Sequence, residues 1–233
     1  MHYFALLLGP EPTSAPDPDA HAADMAAYQA FHAQAGSAIR AGDALTPSTS
    51  GVRITGGPDN PTITDGPFAE GAEVAGGYYV FEAENLDEAL ELAREIPAAK
   101  YGAVEVWPMV DYSARAPLTG DTWLALLLKP PGAVVTPGSA EWDEGIKAHT
   151  EFGKAAGDRA VGGAPLHPPS TATTVRVRDG QVTLTDGPYI EGAEVANGFY
   201  YINTPDRDEA VKIASMIPAT TVELRRLAGV SGL

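Results

Sequence analysis

The sequence predicts an α+β fold built from two ferredoxin-like repeats, and three observations carry that prediction. The chain repeats itself: residues 62–79 read TITDGPFAEGAEVAGGYY and residues 183–200 read TLTDGPYIEGAEVANGFY. The register is fixed, because Asp65 and Asp186 stand 121 residues apart, as do Pro97 and Pro218, which end the two following helical patterns. Within each copy the hydrophobic pattern switches between strand and helix periods in the order β-α-β-β-α-β, with an extra hairpin before the central strand. A chain of 233 residues holds two such units. They are drawn as domains 1–110 and 121–233, joined by a polar, proline-containing linker at 111–120 (DYSARAPLTG).

The elements follow in order. Tyr3 to Leu8 and Thr122 to Leu128 (TWLALLL) are apolar strands that stop at proline-rich loops. Asp24 to Ala41 places Met25, Tyr28, Phe31, Ala35 and Ile39 at helical spacing and ends at Gly42. Glu141 to Ala156 places Trp142, Ile146, His149, Phe152 and Ala156 likewise and ends at Gly157. Thr173 to Arg178 alternates, Asp179-Gly180 turns it, and Gln181 to Thr185 returns. The first copy has Val52 to Thr55, a longer turn, then Thr62 to Thr64. Gly77 to Ala83 and Gly198 to Asn203 are the next strands. The last helices start at Asn85 and Asp206, each with a Glu three residues on, the arrangement that satisfies open backbone donors at a helix start. Ala103 to Val106 and Thr221 to Leu224 close the copies.

A four-stranded sheet with both helices on one face leaves the other face bare. Two copies can bury those faces against each other, so the chain is expected to form an internal pseudo-dimer of the fused dimeric α/β-barrel type. The same logic leaves room for a homodimer of whole chains.

The net charge is −16, with 15 basic residues against 31 acidic ones. That balance argues against nucleic acid, whose binding needs a basic surface, and against anionic membranes. There is no cysteine, hence no disulfide or thiolate site. No apolar run reaches the length of a membrane span and no signal-peptide pattern is visible, so a cytoplasmic protein is the expectation. No phosphate-binding loop, serine elbow or dinucleotide fingerprint occurs, and no cofactor is expected. The stretch Asp17-Pro-Asp-Ala-His21-Ala-Ala-Asp24 reads as a capping loop rather than a metal site.

The Asp-Gly-Pro-Phe/Tyr motif with a following Glu, the DEA helix ending in Pro, and the closing Val-Glu strand together resemble the DGPF or YCII-related family, twice and over nearly the whole chain. The resemblance implies a ferredoxin-like fold, commonly paired as a dimeric α/β barrel. It implies little about activity. Some members resemble partners of extracytoplasmic-function sigma factors by gene neighbourhood. Wider relatives include small enzymes acting on chlorinated aromatic-ring breakdown products through a His–Asp pair. The Asp of that pair carries over to Asp65 and Asp186. The family's usual lysine after the motif is Ala72 or Ala193 here, and its closing-strand arginine is Trp107 in the first copy and Arg225 in the second.

Each candidate has a functional and a structural meaning. Asp65 and Asp186 could act as acid, base or anchor at a cleft mouth, yet an Asp-Gly-Pro turn explains all three residues of the motif. Glu70 with Glu73 and Glu191 with Glu194 are paired carboxylates whose commoner role is a solvated loop. No histidine is matched at the repeat register. His149 lies on the apolar stripe of its helix, and His149 or His32 with an Asp is the one-sided dyad left to test. In the pairs Tyr78-Tyr79 and Phe199-Tyr200, alternation sends one ring to the helix side and its neighbour toward the space between the sheets. Tyr79, Tyr200, Trp107 and Arg225, with Glu70 and Glu191, are the expected ligand contacts, Arg225 as an anchor for an anionic group. Two functions follow. One is a protein that binds a small cyclic or aromatic metabolite between the halves, with acid–base catalysis by an Asp. The other is a non-catalytic regulatory or ligand-binding module working with a sigma factor or a biosynthetic enzyme.

Overall fold

A computed structural model describes the chain except for residues 13–16, 68–72, 116, 117, 119, 134, 190–193, 232 and 233. The first copy comprises β1 (His2–Gly9), α1 (Pro18–Ala35), β2 (Ile39–Ala44), β3 (Val52–Thr55), β4 (Thr62–Asp65), β5 (Val74–Glu82), α2 (Leu86–Glu95) and β6 (Ala103–Pro108). A two-residue strand, β7 (Ser113–Ala114), lies in the connection. The second copy comprises β8 (Thr122–Lys129), α3 (Ala140–Ala156), β9 (Ala160–Pro165), β10 (Thr173–Arg178), β11 (Gln181–Asp186), β12 (Val195–Asn203), α4 (Arg207–Ala214) and β13 (Thr221–Arg226).

The strands form two antiparallel sheets. The first runs β11-β10-β6-β1-β5-β2 and the second β4-β3-β13-β8-β12-β9-β7. Inside each lies the ferredoxin-like order, β6-β1-β5-β2 and β13-β8-β12-β9. The outer hairpins are exchanged between copies. β10 of the second copy pairs with β6 of the first, Thr174 opposite Glu105, and β3 of the first pairs with β13 of the second, Val52 opposite Leu224.

Three apolar clusters follow from strand alternation. On the helix side of the first sheet, Phe31 and Ala35 of α1 and Ala89, Leu90 and Ala93 of α2 meet Ala5, Tyr79 and Val104, and the exchanged Val175 joins them. On the helix side of the second sheet, Phe152 of α3 and Ala210 and Val211 of α4 meet Ala125 and Leu127, joined by the exchanged Val52 and Ile54. The third cluster lies between the sheets. Phe4, Tyr78 and Trp107 from the first sheet interdigitate with Leu124, Phe199 and Tyr201 from the second. Phe4 and Phe199 stack at 4.5 Å between centroids. Each such buried side chain contributes about 1.5–3 kcal/mol.

The helix caps match the sequence. Asn85 Oδ1 accepts from Glu88 N at 3.0 Å and Asp206 Oδ1 from Glu209 N at 2.8 Å. Asp17 caps α1 by accepting from Asp19 N and Ala20 N. One boundary differs. The first helix was expected over Asp24 to Ala41, but α1 spans Pro18–Ala35 and stops at Gly36, which adopts φ +52°. Gly36 stands 121 residues before Gly157, the matching stop at φ +57°. Ile39, which extended the apparent helical stripe, belongs to β2. The strands β2 and β9 were not anticipated, because Ile-Arg-Ala-Gly-Asp-Ala and Ala-Val-Gly-Gly-Ala-Pro lack the β-branched alternation of a strand.

Candidate functional site

The second copy contains a cavity of about 720 Å3, on the helix side of its sheet and beside the edge that β9 and β7 form. Its helical wall is α3, with Trp142, Gly145, Ile146, His149 and Gly153. Its sheet wall includes Leu127 and Lys129 of β8, Gly162 and Gly163 of β9, and Phe199 and Tyr200 of β12. The connection supplies the rim through Tyr112 and Arg115, held against β9 by Arg115 N donating to Val161 O at 2.7 Å.

The cavity exists because α3 keeps few large side chains against the sheet along this stretch. Phe152 and Ala156 are buried, while Trp142 and His149 are half-buried and Ile146 is 46% exposed. A Cβ on Gly145 or Gly153 would meet nothing within 4 Å. In the first copy the position matching Gly153 is His32, and its Nε2 reaches Tyr79 Oη at 2.7 Å. The first copy thus carries an imidazole against its sheet tyrosine at the position where the second copy has glycine.

His149 Nδ1 lies 2.9 Å from Tyr200 Oη, and among the described residues Nε2 has no hydrogen bond. Burial first, and then the positive charge of Lys129, lower the His149 pKa to about 4, so its ring is neutral at pH 7. Burial pushes the Tyr200 hydroxyl up to about 12. A neutral imidazole with one nitrogen held and the other open can exchange a proton with a bound molecule. Both copies thus build a His–Tyr pair on equivalent tyrosines, Tyr79 and Tyr200. The histidines sit one helical turn apart, because His149 matches Tyr28 rather than His32. Comparison at the fixed register therefore finds no matched histidine.

The other expected residues lie elsewhere. Asp65 and Asp186 are exposed at the ends of β4 and β11, outside the cavity wall. Asp65 pairs with Arg207 at the start of α4. Backbone bonds pin both motif turns to the neighbouring strand: Gly66 N donates to Gly51 O at 3.1 Å and Gly187 N to Ala172 O at 2.8 Å. Gly187 takes φ +85°, which glycine adopts without strain. Tyr79 is buried in the helix-side core of the first copy. Trp107 is fully buried between the sheets, its Nε1 donating to Glu105 Oε2 at 3.0 Å. Arg225 is buried, and its donors are committed to Thr46 O and Glu223 Oε1. Glu70 and Glu191 lie outside the described residues. Of the nine expected site residues, the structure brings His149 and Tyr200 together at the cavity.

The space between the sheets, where a shared ligand was expected, is a packed core. A smaller depression of about 470 Å3 does touch both copies, at Thr46, Asp121, Arg226 and Leu227. Arg226 there already donates to Gly120 O and Asp121 Oδ1. Sequence reasoning missed Lys129, Gly145 and Gly153. The signal that could have found the glycines is their cost inside a helix, about 1 kcal/mol each relative to alanine.

A family model, YCII-related domain, matches residues 2–113 and 124–227. The chain belongs to the YCII-related domain family. An uncharacterized protein of Rhizobium meliloti (strain 1021) is 33% identical over 91 residues, which covers 38% of this chain and 73% of that protein. Among solved structures, one named "Putative Chlorite dismutase" aligns with 97% of this chain and 94% of its own at 10% identity and a TM-score of 0.43. An effector protein from Pseudomonas syringae pv. syringae strain 61 aligns at 14% identity and a TM-score of 0.27, covering 95% of this chain and 68% of its own. Nothing about this YCII-related protein is inferred from either. Among the described residues no helix is long and apolar enough to cross a membrane.

Proposed function

We propose that this tandem YCII-related protein binds a small organic molecule in the cavity of its second copy, within a fused dimeric α/β-barrel. In this reading the first copy is the filled, structural partner. The observation that carries it is the cavity wall formed at Gly145 and at the exposed Gly153 of α3, where a Cβ would meet nothing within 4 Å, set against the His32–Tyr79 contact at the matching place in α1. A glycine that lowers helix stability with no steric need for it marks room kept for something else. His149 is the acid–base candidate, ahead of Asp65 and Asp186, because it lines the cavity and they are exposed outside its wall.

The alternative is a ligand-binding regulatory module without turnover. It draws on the same cavity and on the absence of a carboxylate paired with His149 among the described residues.

The test is binding of the neutral fluorophore N-phenyl-1-naphthylamine. Wild type is expected to bind it, and Gly153→Leu, which fills the cavity, is expected to lose that binding while remaining folded. Equal binding by both proteins would place the ligand elsewhere. An Ile63→Leu control, at an exposed position outside the cavity wall, should leave binding unchanged.

A further inference from the structure

We infer that the ligand of this cavity is an anion with a flat apolar body, its charged group held by Lys129. The inference rests on the cavity reading above and adds the ligand's charge. Lys129 ends β8 opposite Val195, two residues after Leu127, so both side chains stand on the helix side of the sheet. It lines the cavity close enough to act on His149. Among the described residues it makes neither a hydrogen bond nor an ion pair. Scarcity of carboxylates does not explain that, in a chain with 31 acidic residues and with exposed Asp111 and Glu141 on the cavity rim. Arg115, the other cation at the rim, is paired with Asp158 at 3.0 Å and is largely exposed.

The repeat supplies an internal control. Tyr79 lies opposite Ala5 and Tyr200 opposite Ala125, so Lys129 matches Gly9 in the first copy. The lysine belongs to the copy that carries the cavity, and a glycine takes its place in the other. The remaining walls suit a flat apolar body: Trp142 and Ile146 on one side, Leu127 and Tyr200 on the other. With His149 neutral, Lys129 is the positive charge of the inner wall among the described residues, in a half-buried place where screening is weak.

The experiment compares two probes of similar ring system that differ in charge, 8-anilino-1-naphthalenesulfonate and neutral N-phenyl-1-naphthylamine, on wild type, Lys129→Met, Lys129→Arg and Gly153→Leu. Methionine keeps the apolar stem of the lysine and removes the charge. Lys129→Met is expected to weaken the sulfonated probe about tenfold and leave the neutral one unchanged, a loss of about one decade in affinity. Lys129→Arg should restore most of the difference, and added salt should reduce it in wild type only modestly. Equal weakening of both probes, or of neither, by Lys129→Met overturns the assignment of charge while leaving the cavity reading intact. Undiminished binding of both probes by Gly153→Leu, or no binding by wild type, overturns the cavity reading and this inference with it.

Discussion

Glu105 Oε1 accepts the backbone N–H of Tyr189 at 2.7 Å, joining the central strand of one copy to the motif of the other. The second oxygen accepts from Trp107 Nε1, so both lone-pair directions are used, yet the carboxyl remains almost wholly buried. Burial outweighs the two hydrogen bonds and raises its pKa to about 7 from an ordinary 4.5.

The folded protein therefore holds a proton on Glu105 between pH 4.5 and 7 that the unfolded chain has released. Stability should fall as pH rises through that window, by on the order of 3 kcal/mol, and level off above it. Glu105→Gln should match wild type near pH 5 and exceed it at pH 8. Urea denaturation across the range checks this, and parallel curves for the two proteins would refute the burial argument.

His149 works in the opposite direction. Its folded pKa of about 4 lies below the ordinary 6.5, so the unfolded chain gains a proton first as pH falls. The contribution is complete above pH 6.5 and is lost toward pH 4, again by on the order of 3 kcal/mol. His149→Gln should be less sensitive to acid than wild type in that interval. In wild type the two groups largely cancel between pH 4.5 and 6.5, so the opposing slopes appear only in the single variants. Imidazole NMR should show His149 neutral at pH 5.5.

Two glycines with open space beside them should respond with opposite sign. Gly153 sits inside α3, and Gly153→Ala should stabilise the protein by about 1 kcal/mol. Gly157 sits at φ +57° at the helix end, and Gly157→Ala should destabilise it by about 1–2 kcal/mol. Thermal melts of the pair separate helix propensity from backbone conformation.

Asp65→Asn should change stability by less than about 1 kcal/mol, since its pairing with Arg207 is an exposed one. Binding of N-phenyl-1-naphthylamine should be unaffected. A lost cavity signal in this variant would return the motif aspartate to the functional site.

The exchanged Ile54 is 3% exposed within the second copy's helix-side core. Ile54→Ala should cost about 2–5 kcal/mol. Hydrogen exchange should rise first in β13 and α4 rather than in β5 of its own copy.

Local rules made much of this fold legible. The caps at Asn85 and Asp206, the turn at Asp179-Gly180 and the apolar strands Tyr3 to Leu8 and Thr122 to Leu128 are set by neighbours in sequence. The hairpin exchange was not legible, because β3 and β10 carry the same pattern whichever sheet edge they join; the choice is made by distant pairing. The cavity was hidden for a different reason. It is bordered by positions without side chains, Gly145 and Gly153, and a missing side chain leaves no chemical signature in a sequence. His149 was visible as a candidate, but its counterpart was not, since one helical turn separates His32 from the matched position. Trp107 and Arg225 were expected as ligand contacts at equivalent positions of the two copies, whereas both are buried among protein groups.

Each copy's arm lies across its sibling, so neither owns a whole sheet. Cleaving the peptide in the connection should leave two fragments interlocked, coeluting until denaturant frees them. Covalent tethering also makes refolding of this interlocked arrangement first order, at a rate indifferent to protein concentration.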